Sequence, residues 1–162
     1  MTLEIWPANS EPGWRLVTDA VMGGVSRGII TDETVGRRRA MRMRGDVSTE
    51  NNGGFIQITL DFAAEGGWFD AAALAGVAID VFGNGEVYGA HLRTTELARP
   101  QQSYRHSFCA RPEWQTLQLP FAQFMPHRTD IPFGPGRLKR IGLIAIGRAF
   151  AADLSVARLA FY

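Results

Sequence analysis

The sequence has 162 residues, 46% of them hydrophobic and 20% charged, which indicates one globular domain, residues 1–162, with enough apolar side chains for a core. Its 17 Lys and Arg residues and 16 Asp and Glu residues give a formal net charge of +1, which argues against a dedicated binder of nucleic acid or acidic membranes. The single cysteine, Cys109, excludes an internal disulfide.

The first ten residues, MTLEIWPANS, have neither the basic and apolar regions of a secretory signal nor an Arg-rich amphipathic pattern. No apolar run along the chain is long enough to span a bilayer. We therefore expect a cytoplasmic protein without direct membrane insertion, whose only route to the periphery of the inner membrane is a protein partner.

Two polar segments, TDAVMGGVS (residues 18–26) and ENNGGF (residues 50–55), share an unusual arrangement with paired glycines. In the first segment, Val21 and Met22 have the character of core residues. Glycine pairs supply positive φ angles or let two backbones approach closely without a clash at Cβ. Both segments therefore predict strand corners that are held by their own polar side chains.

Between these corners, the segment RRRAMRMR (residues 37–44) alternates as a strand does. Its arginines share one face and its methionines the other: Arg38, Arg42 and Arg44 against Met41 and Met43. The simplest interpretation is a solvated outer strand, since arginines at a sheet edge deter aggregation. The alternative is a surface for an acidic partner or an RNA backbone.

Short runs of alternating apolar and polar residues continue along the chain, separated by turn signals rich in Gly, Pro, Asn and Asp. This pattern predicts nine or ten short strands and no long amphipathic helix. The clearest runs are FIQITLDF (55–62), VAIDV (77–81), VYGAHLRT (87–94), IGLIAIG (141–147) and LSVARLAFY (154–162). Because IGLIAIG is apolar on both faces, it indicates a central strand. The expected fold is an all-β sandwich.

The alternation leaves a polar face on the middle strands, which is either solvated or a binding surface. Its expected members are Gln57, Thr59, Asp80, His91, Arg93 and Arg105. Sugar sites usually place an exposed aromatic ring beside such polar groups, and Trp114 is the tryptophan that we nominate for this platform. The equal alternative is that Trp114 belongs to the core.

The polar side chains of the two glycine-paired corners are more numerous than two simple turns require. Asp19 can only accept hydrogen bonds when it is ionised, whereas Asn51 and Asn52 can also donate them. We predict that the corners meet in one polar node, completed by Arg93, whose guanidinium pairs well with a carboxylate. The node either is purely structural or also shapes a partner-binding surface.

The motifs of common enzymes and metal sites are absent from the sequence. It contains no G-x-S-x-G elbow, no H-E-x-x-H and no phosphate-binding loop, and its three histidines lack metal-ligand spacing. We therefore expect no enzymatic activity, no cofactor and no bound metal. Cys109 has no base nearby in the sequence, so we expect it to be a small core residue.

Five motifs occur in an order that resembles the complex I intermediate-associated protein 30 family, from about Trp14 to the end of the chain: DAVMGGVS, GDVSTENNGGF, GVAIDVFGNGEVY, WQTLQLPFAQF and IGLIA. The resemblance implies a jelly-roll β-sandwich of the galactose-binding-like type. Mitochondrial members of the family are assembly factors for respiratory complex I, the NADH:ubiquinone oxidoreductase. Because this sequence shows no organellar presequence, we expect a stand-alone, bacterial-type member.

The function implied by this resemblance is that of a non-enzymatic, chaperone-like binding module that acts on complex I subunits or assembly intermediates by protein–protein contact. The alternative is a carbohydrate-binding module, because galactose-binding-like folds serve that function elsewhere. A third alternative, an RNA-associated factor, rests on the arginine segment, although the small net charge argues against nucleic acid. The candidate binding residues are Asp19, Asn51, Asn52, His91, Arg93 and Trp114.

Overall fold

A computed structural model of the protein describes residues 2–8 and 13–162, and the regular structure of this part is almost entirely β. It has twelve strands and four short 3-10 helices. The strands are β1 (Leu3–Trp6), β2 (Arg15–Thr18), β3 (Arg27–Val35), β4 (Arg38–Val47), β5 (Phe55–Asp61), β6 (Gly76–Phe82), β7 (Val87–Thr94), β8 (Ser103–Cys109), β9 (Gln115–Pro120), β10 (Met125–His127), β11 (Leu138–Ile146) and β12 (Phe150–Phe161). The count exceeds the predicted nine or ten because β1, β2 and β10 are too short to show alternation.

The strands form two antiparallel sheets of six strands each. Sheet A has the order β3-β4-β12-β6-β9, with β1 paired to β12, and sheet B has the order β10-β8-β7-β11-β5-β2. The predicted central strand is β11, which lies between β7 and β5. The last strand, β12, is an interior strand of sheet A and pairs with both β4 and β6.

The two sheets pack face to face, and alternate residues of their strands fill the space between them. On β5, Ile56, Ile58 and Leu60 are buried and belong to the core, while the residues between them point to the opposite side. Tyr88 and Leu92 on β7 are buried in the same core. This alternation confirms the predicted all-β sandwich, because a period of two places every second residue on the same face.

Two residues lie elsewhere than predicted. Asp80 belongs to sheet A, not to the polar face of sheet B, and its carboxylate accepts hydrogen bonds from Arg38 at 2.9 Å and Thr116 at 2.7 Å. Cys109 is exposed, because it shares the outward-facing side of β8 with Arg105.

No helix within residues 2–8 and 13–162 combines the length and the apolar character needed to cross a membrane.

Candidate functional site

The carboxylate of Asp19 lies where the two glycine-paired corners meet, and its side chain is fully buried. Its Oδ1 accepts a hydrogen bond from the backbone N–H of Ser26 at 3.0 Å. Its Oδ2 accepts hydrogen bonds from the Ser26 hydroxyl at 2.5 Å and from the backbone N–H groups of Gly54 at 2.7 Å and Phe55 at 3.2 Å. The predicted meeting of the corners is confirmed, and we call this hydrogen-bonded group the Asp19 node.

The Asp19 node stabilises the ionised carboxylate. Burial by itself would raise the pKa of Asp19, but the hydrogen bonds from Ser26, Gly54 and Phe55 outweigh burial and hold this pKa below its ordinary value. Asp19 therefore binds fewer protons in the folded than in the unfolded state. Its stabilising contribution is present above the unfolded pKa and is lost as pH falls through the folded pKa.

The paired glycines are required because the backbone of both corners approaches the Asp19 carboxylate closely. A Cβ at Gly24 would lie 2.4 Å from Cγ of Asp19, and a Cβ at Gly53 would lie 2.5 Å from its Oδ2. Gly23, with a φ of 86°, and Gly54, with a φ of 141°, also adopt backbone conformations that disfavour other residues. Each corner thus needs one glycine for its backbone conformation and one for space.

Asn51 and Asn52 contribute to the second corner through their backbone conformation. Their φ angles are 57° and 58°, in the left-handed region that asparagine tolerates better than most residues. Both side chains are exposed, and within the described residues neither amide hydrogen-bonds to Asp19. The prediction that these amides donate to the node is therefore wrong, because the left-handed backbone turns the side chains outward.

Arg93 lies far from the Asp19 node. In the register of sheet B, Arg93 lies in the same row as Arg140 and Asp61. Asp61 is six residues along β5 from Phe55, whose backbone N–H belongs to the Asp19 node. This separation corresponds to about 20 Å of extended strand. The Nη1 of Arg93 instead donates hydrogen bonds to three carbonyl oxygens in the loop after β7, those of Arg99, Pro100 and Gln102.

The corner that follows Asp19 presents three apolar side chains to solvent. Val21 is 76% exposed, Met22 is 56% exposed and Val25 is 43% exposed, and we call these three residues the apolar corner. The expectation that Val21 and Met22 belong to the core is wrong. The 3-10 helix Asp19–Met22 turns the Asp19 side chain inward, so the residues that follow face outward.

The outward side of sheet B carries most of the polar face predicted from the sequence. By strand register, Arg105, His91, Gly142, Thr59 and Arg15 form one row across five strands. The rows on either side contain Arg93, Arg140 and Asp61, and Gly89, Ile144 and Gln57. We call this surface the polar face of sheet B.

Five arginines on the strands of sheet A form ion pairs with carboxylates. Arg42 forms ion pairs with both Glu33 at 2.9 Å and Asp153 at 2.6 Å, and these hydrogen-bonded carboxylates hold the pKa of Arg42 well above its ordinary value. Further pairs are Arg38–Asp80, Arg39–Asp32, Arg44–Glu33 and Arg158–Glu4. The arginine segment is therefore a balanced ion-pair network on an interior strand, which is a poor surface for an RNA backbone.

The polar face of sheet B is charged differently. Asp61 is shared by Arg15 at 3.4 Å and Arg140 at 3.1 Å. Within the described residues, no carboxylate oxygen lies within 4.0 Å of the guanidinium nitrogens of Arg93 or Arg105. Positive charge therefore exceeds negative charge on this face.

Half-buried His91 lies at the centre of the polar face. Burial, followed by the neighbouring Arg105 and His127, lowers the pKa of His91 to about 3. Burial and the charges of Arg105 and Arg128 also lower the pKa of His127. Both imidazoles are therefore neutral hydrogen-bonding groups at neutral pH.

Acidification should destabilise the protein through His91. The unfolded histidine titrates near pH 6.5, so the unfolded state binds more protons than the folded state between about pH 6.5 and pH 3. The free energy of unfolding should fall as pH drops through this window, and His91→Gln should make the fall shallower. Urea denaturation of both proteins at pH 7 and pH 5 measures the difference, and equal falls would contradict the prediction.

Trp114 is not a platform on the polar face, because its indole N–H donates to the carbonyl oxygen of Val35 at 2.9 Å. Its ring packs at 5.6 Å from that of Phe82 and at 4.8 Å from the guanidinium carbon of Arg38, beside sheet A. The exposed tryptophan is Trp68, which is 49% exposed and lies 5.4 Å from the guanidinium carbon of Arg137. In the sequence, Trp68 follows a pair of glycines at a point where the strand alternation is interrupted, and this is the feature that could have indicated its exposure.

The chain is similar to known proteins both in sequence and in fold. Residues 3–156 match the model of the family described as Complex I intermediate-associated protein 30. Among curated proteins, no sequence matches this chain significantly.

Solved structures with a similar fold include carbohydrate-binding modules. The family 11 module from Clostridium thermocellum, in complex with a beta-1,3-1,4-mixed-linked tetrasaccharide, has a TM-score of 0.75 and 11% identity, and the match covers 99% of this chain and 94% of that one. A family 30 module has a TM-score of 0.72 and 13% identity over 100% of this chain and 98% of that one. An exo-beta-agarase matches 97% of this chain with 24% of its own, at a TM-score of 0.59 and 8% identity. These similarities show the fold alone, and they confirm the predicted galactose-binding-like jelly roll.

Proposed function

Because this chain belongs to the Complex I intermediate-associated protein 30 family, we propose that it is a non-enzymatic binding module that assists complex I assembly by protein–protein contact. Its partners are complex I subunits or assembly intermediates. Residues 1–162 act as one domain in this proposal. The protein is cytoplasmic and reaches the inner membrane only through its partner.

The apolar corner is the observation that best supports a protein partner. Large apolar side chains grouped on a surface are typical of protein interaction sites. Val21 and Met22 are more than half exposed, although they lie in one of the motifs that resemble the family. Their exposure cannot be attributed to loose backbone, because the Asp19 node holds both ends of the corner.

The rigidity of the apolar corner favours binding. The Thr18 hydroxyl accepts a hydrogen bond from the Ala20 N–H at 3.2 Å, and the Gly24 N–H donates to the Asp19 carbonyl at 2.8 Å. A surface that is already ordered loses less conformational entropy when it binds. The contacts of the Asp19 node thus stabilise the fold. In our proposal the node also serves binding, because it holds the apolar corner in place for the partner.

Chemical crosslinking followed by affinity capture from the native host tests this function. We expect complex I subunits among the crosslinked proteins, with crosslinked peptides from the part of the chain around the apolar corner. Capture that repeatedly contains no complex I subunit would contradict the proposal. Glycan-processing enzymes as the main partners would favour the alternative function.

Carbohydrate binding is the second candidate function, supported by the shared fold and by exposed Trp68 beside Arg137. Sugar rings usually stack on the rings of Trp, Tyr or Phe, yet the middle row of the polar face, from Arg105 to Arg15, contains none of these three residue types. Affinity electrophoresis in mixed-linked β-glucan tests this candidate. Retarded migration that Trp68→Ala abolishes would support sugar binding, whereas unretarded migration would count against it.

A further inference from the structure

We propose that the polar face of sheet B binds an acidic, extended peptide segment of the protein partner. This inference rests on the proposed function, because it assumes that the partner is a protein. It adds a second contact surface, separate from the apolar corner, and it gives the chemistry of the segment that this surface recognises.

The charge on the polar face is complementary to such a segment. Within the part of the chain that the structure describes, the carboxylate that pairs with arginines of this face is Asp61, and it contacts Arg15 and Arg140. The five arginines on or beside the face are Arg15, Arg93, Arg105, Arg128 and Arg140. On sheet A, by contrast, five arginines each pair with a carboxylate: Arg38, Arg39, Arg42, Arg44 and Arg158. Since the whole chain has a formal net charge of only +1, this excess is a local feature. It attracts an acidic partner without making the protein a general polyanion binder.

Arg93 and Arg105 are repelled by neighbouring arginines and, within the described residues, have no carboxylate partner. Burial and then the charge of Arg128 lower the pKa of Arg105, and burial and then Arg140 lower the pKa of Arg93. The Nε of Arg105 donates to the Ser103 hydroxyl at 2.9 Å, which leaves its terminal nitrogens for a ligand. A carboxylate placed there would relieve the repulsion and form charge-assisted hydrogen bonds.

Thr59 supplies an independent observation. This residue is only 6% exposed, and its hydroxyl oxygen has no hydrogen-bond partner within the described residues. It lies in the same row as Arg105 and His91, on the outward side of β5. Buried hydroxyls are nearly always hydrogen-bonded in native proteins. In this proposal the peptide supplies the missing partner after the side chains that cover the Thr59 oxygen have moved aside.

The geometry of the face suits an extended peptide. Arg93 and Arg105 are diagonal neighbours on adjacent strands, because Arg105 is opposite His91, two residues before Arg93. Diagonal positions of this kind are about 7–8 Å apart. Acidic residues at alternate positions of an extended peptide are separated by about 6.5–7 Å, so two such carboxylates match the two arginines. Gly142, in the middle of the row, has no side chain of its own, and the Gln57 side chain fills that space: a Cβ at Gly142 would lie 2.5 Å from Gln57 Oε1.

Fluorescence anisotropy with a labelled deca-glutamate peptide tests the inference, and a deca-lysine peptide serves as the charge control. We expect the wild-type protein to bind only the glutamate peptide, and Arg105→Gln to weaken binding about tenfold, because it removes a charge-assisted contact. The matched control is Arg39→Gln, which removes the same charge from an ion pair on sheet A. Its affinity should stay within about twofold of wild type, since exposed ion pairs contribute little.

Thr59→Val separates recognition from general attraction between charges. The substitution keeps the shape and the charge of the face but removes the hydroxyl without a partner, so thermal stability should be unchanged or higher. Affinity for the glutamate peptide should fall about threefold, the loss expected for one hydrogen bond. Unchanged affinity would remove Thr59 from the site and overturn the inference as stated.

The remaining outcomes separate this inference from the proposed function. Absence of glutamate-peptide binding, or equal weakening by Arg105→Gln and Arg39→Gln, would overturn the acidic-peptide site even if complex I subunits are captured. Specific peptide binding that is weakened by Arg105→Gln and by Thr59→Val would support the site. If no complex I subunit were captured in that case, the proposed function would fail while the site remained.

Discussion

Replacing Asp19 with alanine should lower the free energy of unfolding by more than about 3 kcal/mol, because each buried donor left without an acceptor costs about 1–3 kcal/mol. Four donors from Ser26, Gly54 and Phe55 would lose their common acceptor. The thermal midpoint should fall by about 6–12 °C for a domain of this size. Urea and thermal denaturation measure both quantities.

Asp32→Ala is the matched control for this substitution. It removes an exposed carboxylate whose partner is Arg39, so stability should change by no more than about 0.5 kcal/mol. Asp19→Asn tests the contribution of the negative charge. The asparagine keeps one acceptor oxygen, but its NH2 group would face N–H donors, so this variant should be more stable than Asp19→Ala and less stable than the wild type. A loss below about 1 kcal/mol for Asp19→Ala would show that the two corners hold together without the carboxylate.

The double substitution Val21→Ser and Met22→Ser should reduce capture of the partner at least tenfold, because it removes about 2 kcal/mol or more of apolar contact from the interface. Both side chains are exposed, at 76% and 56%, so the free protein should melt within about 2 °C of wild type. Quantitative affinity capture, with thermal denaturation of the same preparations, measures both effects.

Leu3→Ser combined with Ile29→Ser is the control for lost apolar surface, since Leu3 is 38% exposed and Ile29 is 52% exposed on sheet A. This control should capture the partner as the wild type does. Undiminished capture by the Val21 and Met22 variant would exclude the apolar corner as the docking surface. Equal losses in both double variants would point to a general effect of surface polarity.

Asp19→Ala and the apolar-corner variant should therefore lose partner binding for different physical reasons. The first loosens the corner that presents Val21 and Met22, and stability falls with binding. The second leaves the Asp19 node intact, so binding falls alone.

Local pattern was sufficient to predict the strands and one long-range contact. Alternation at Ile56, Ile58 and Leu60 predicted which side of β5 faces the core, because strand geometry places every second residue on one side. The meeting of the two glycine-paired corners was predicted from their surplus polar groups, but the Asn51 and Asn52 amides that suggested it are exposed. The contact is made instead by the Asp19 carboxylate and the backbone N–H groups of Gly54 and Phe55.

The sequence pattern gave wrong predictions of burial at residues whose exposure depends on contacts with distant parts of the chain. Val21 and Met22 are apolar, yet the inward turn at Asp19 leaves them in solvent. Asp80 alternates as a surface residue, yet Arg38 of β4 and Thr116 of β9 cover it. Nothing within the segment itself specifies either neighbour.

By itself, the sequence determined the β-sandwich, its central strand and the need for two glycine-paired corners, because these follow from side-chain period and backbone sterics, which act over a few residues. Only the tertiary structure decided where charge remains unbalanced. Strand order brings Arg42 between Glu33 and Asp153 on sheet A. On sheet B it leaves Arg93 and Arg105 without a carboxylate partner among the residues that the structure describes. Ion pairing falls off within a few ångströms, so it depends on strand register between residues that are far apart in the chain.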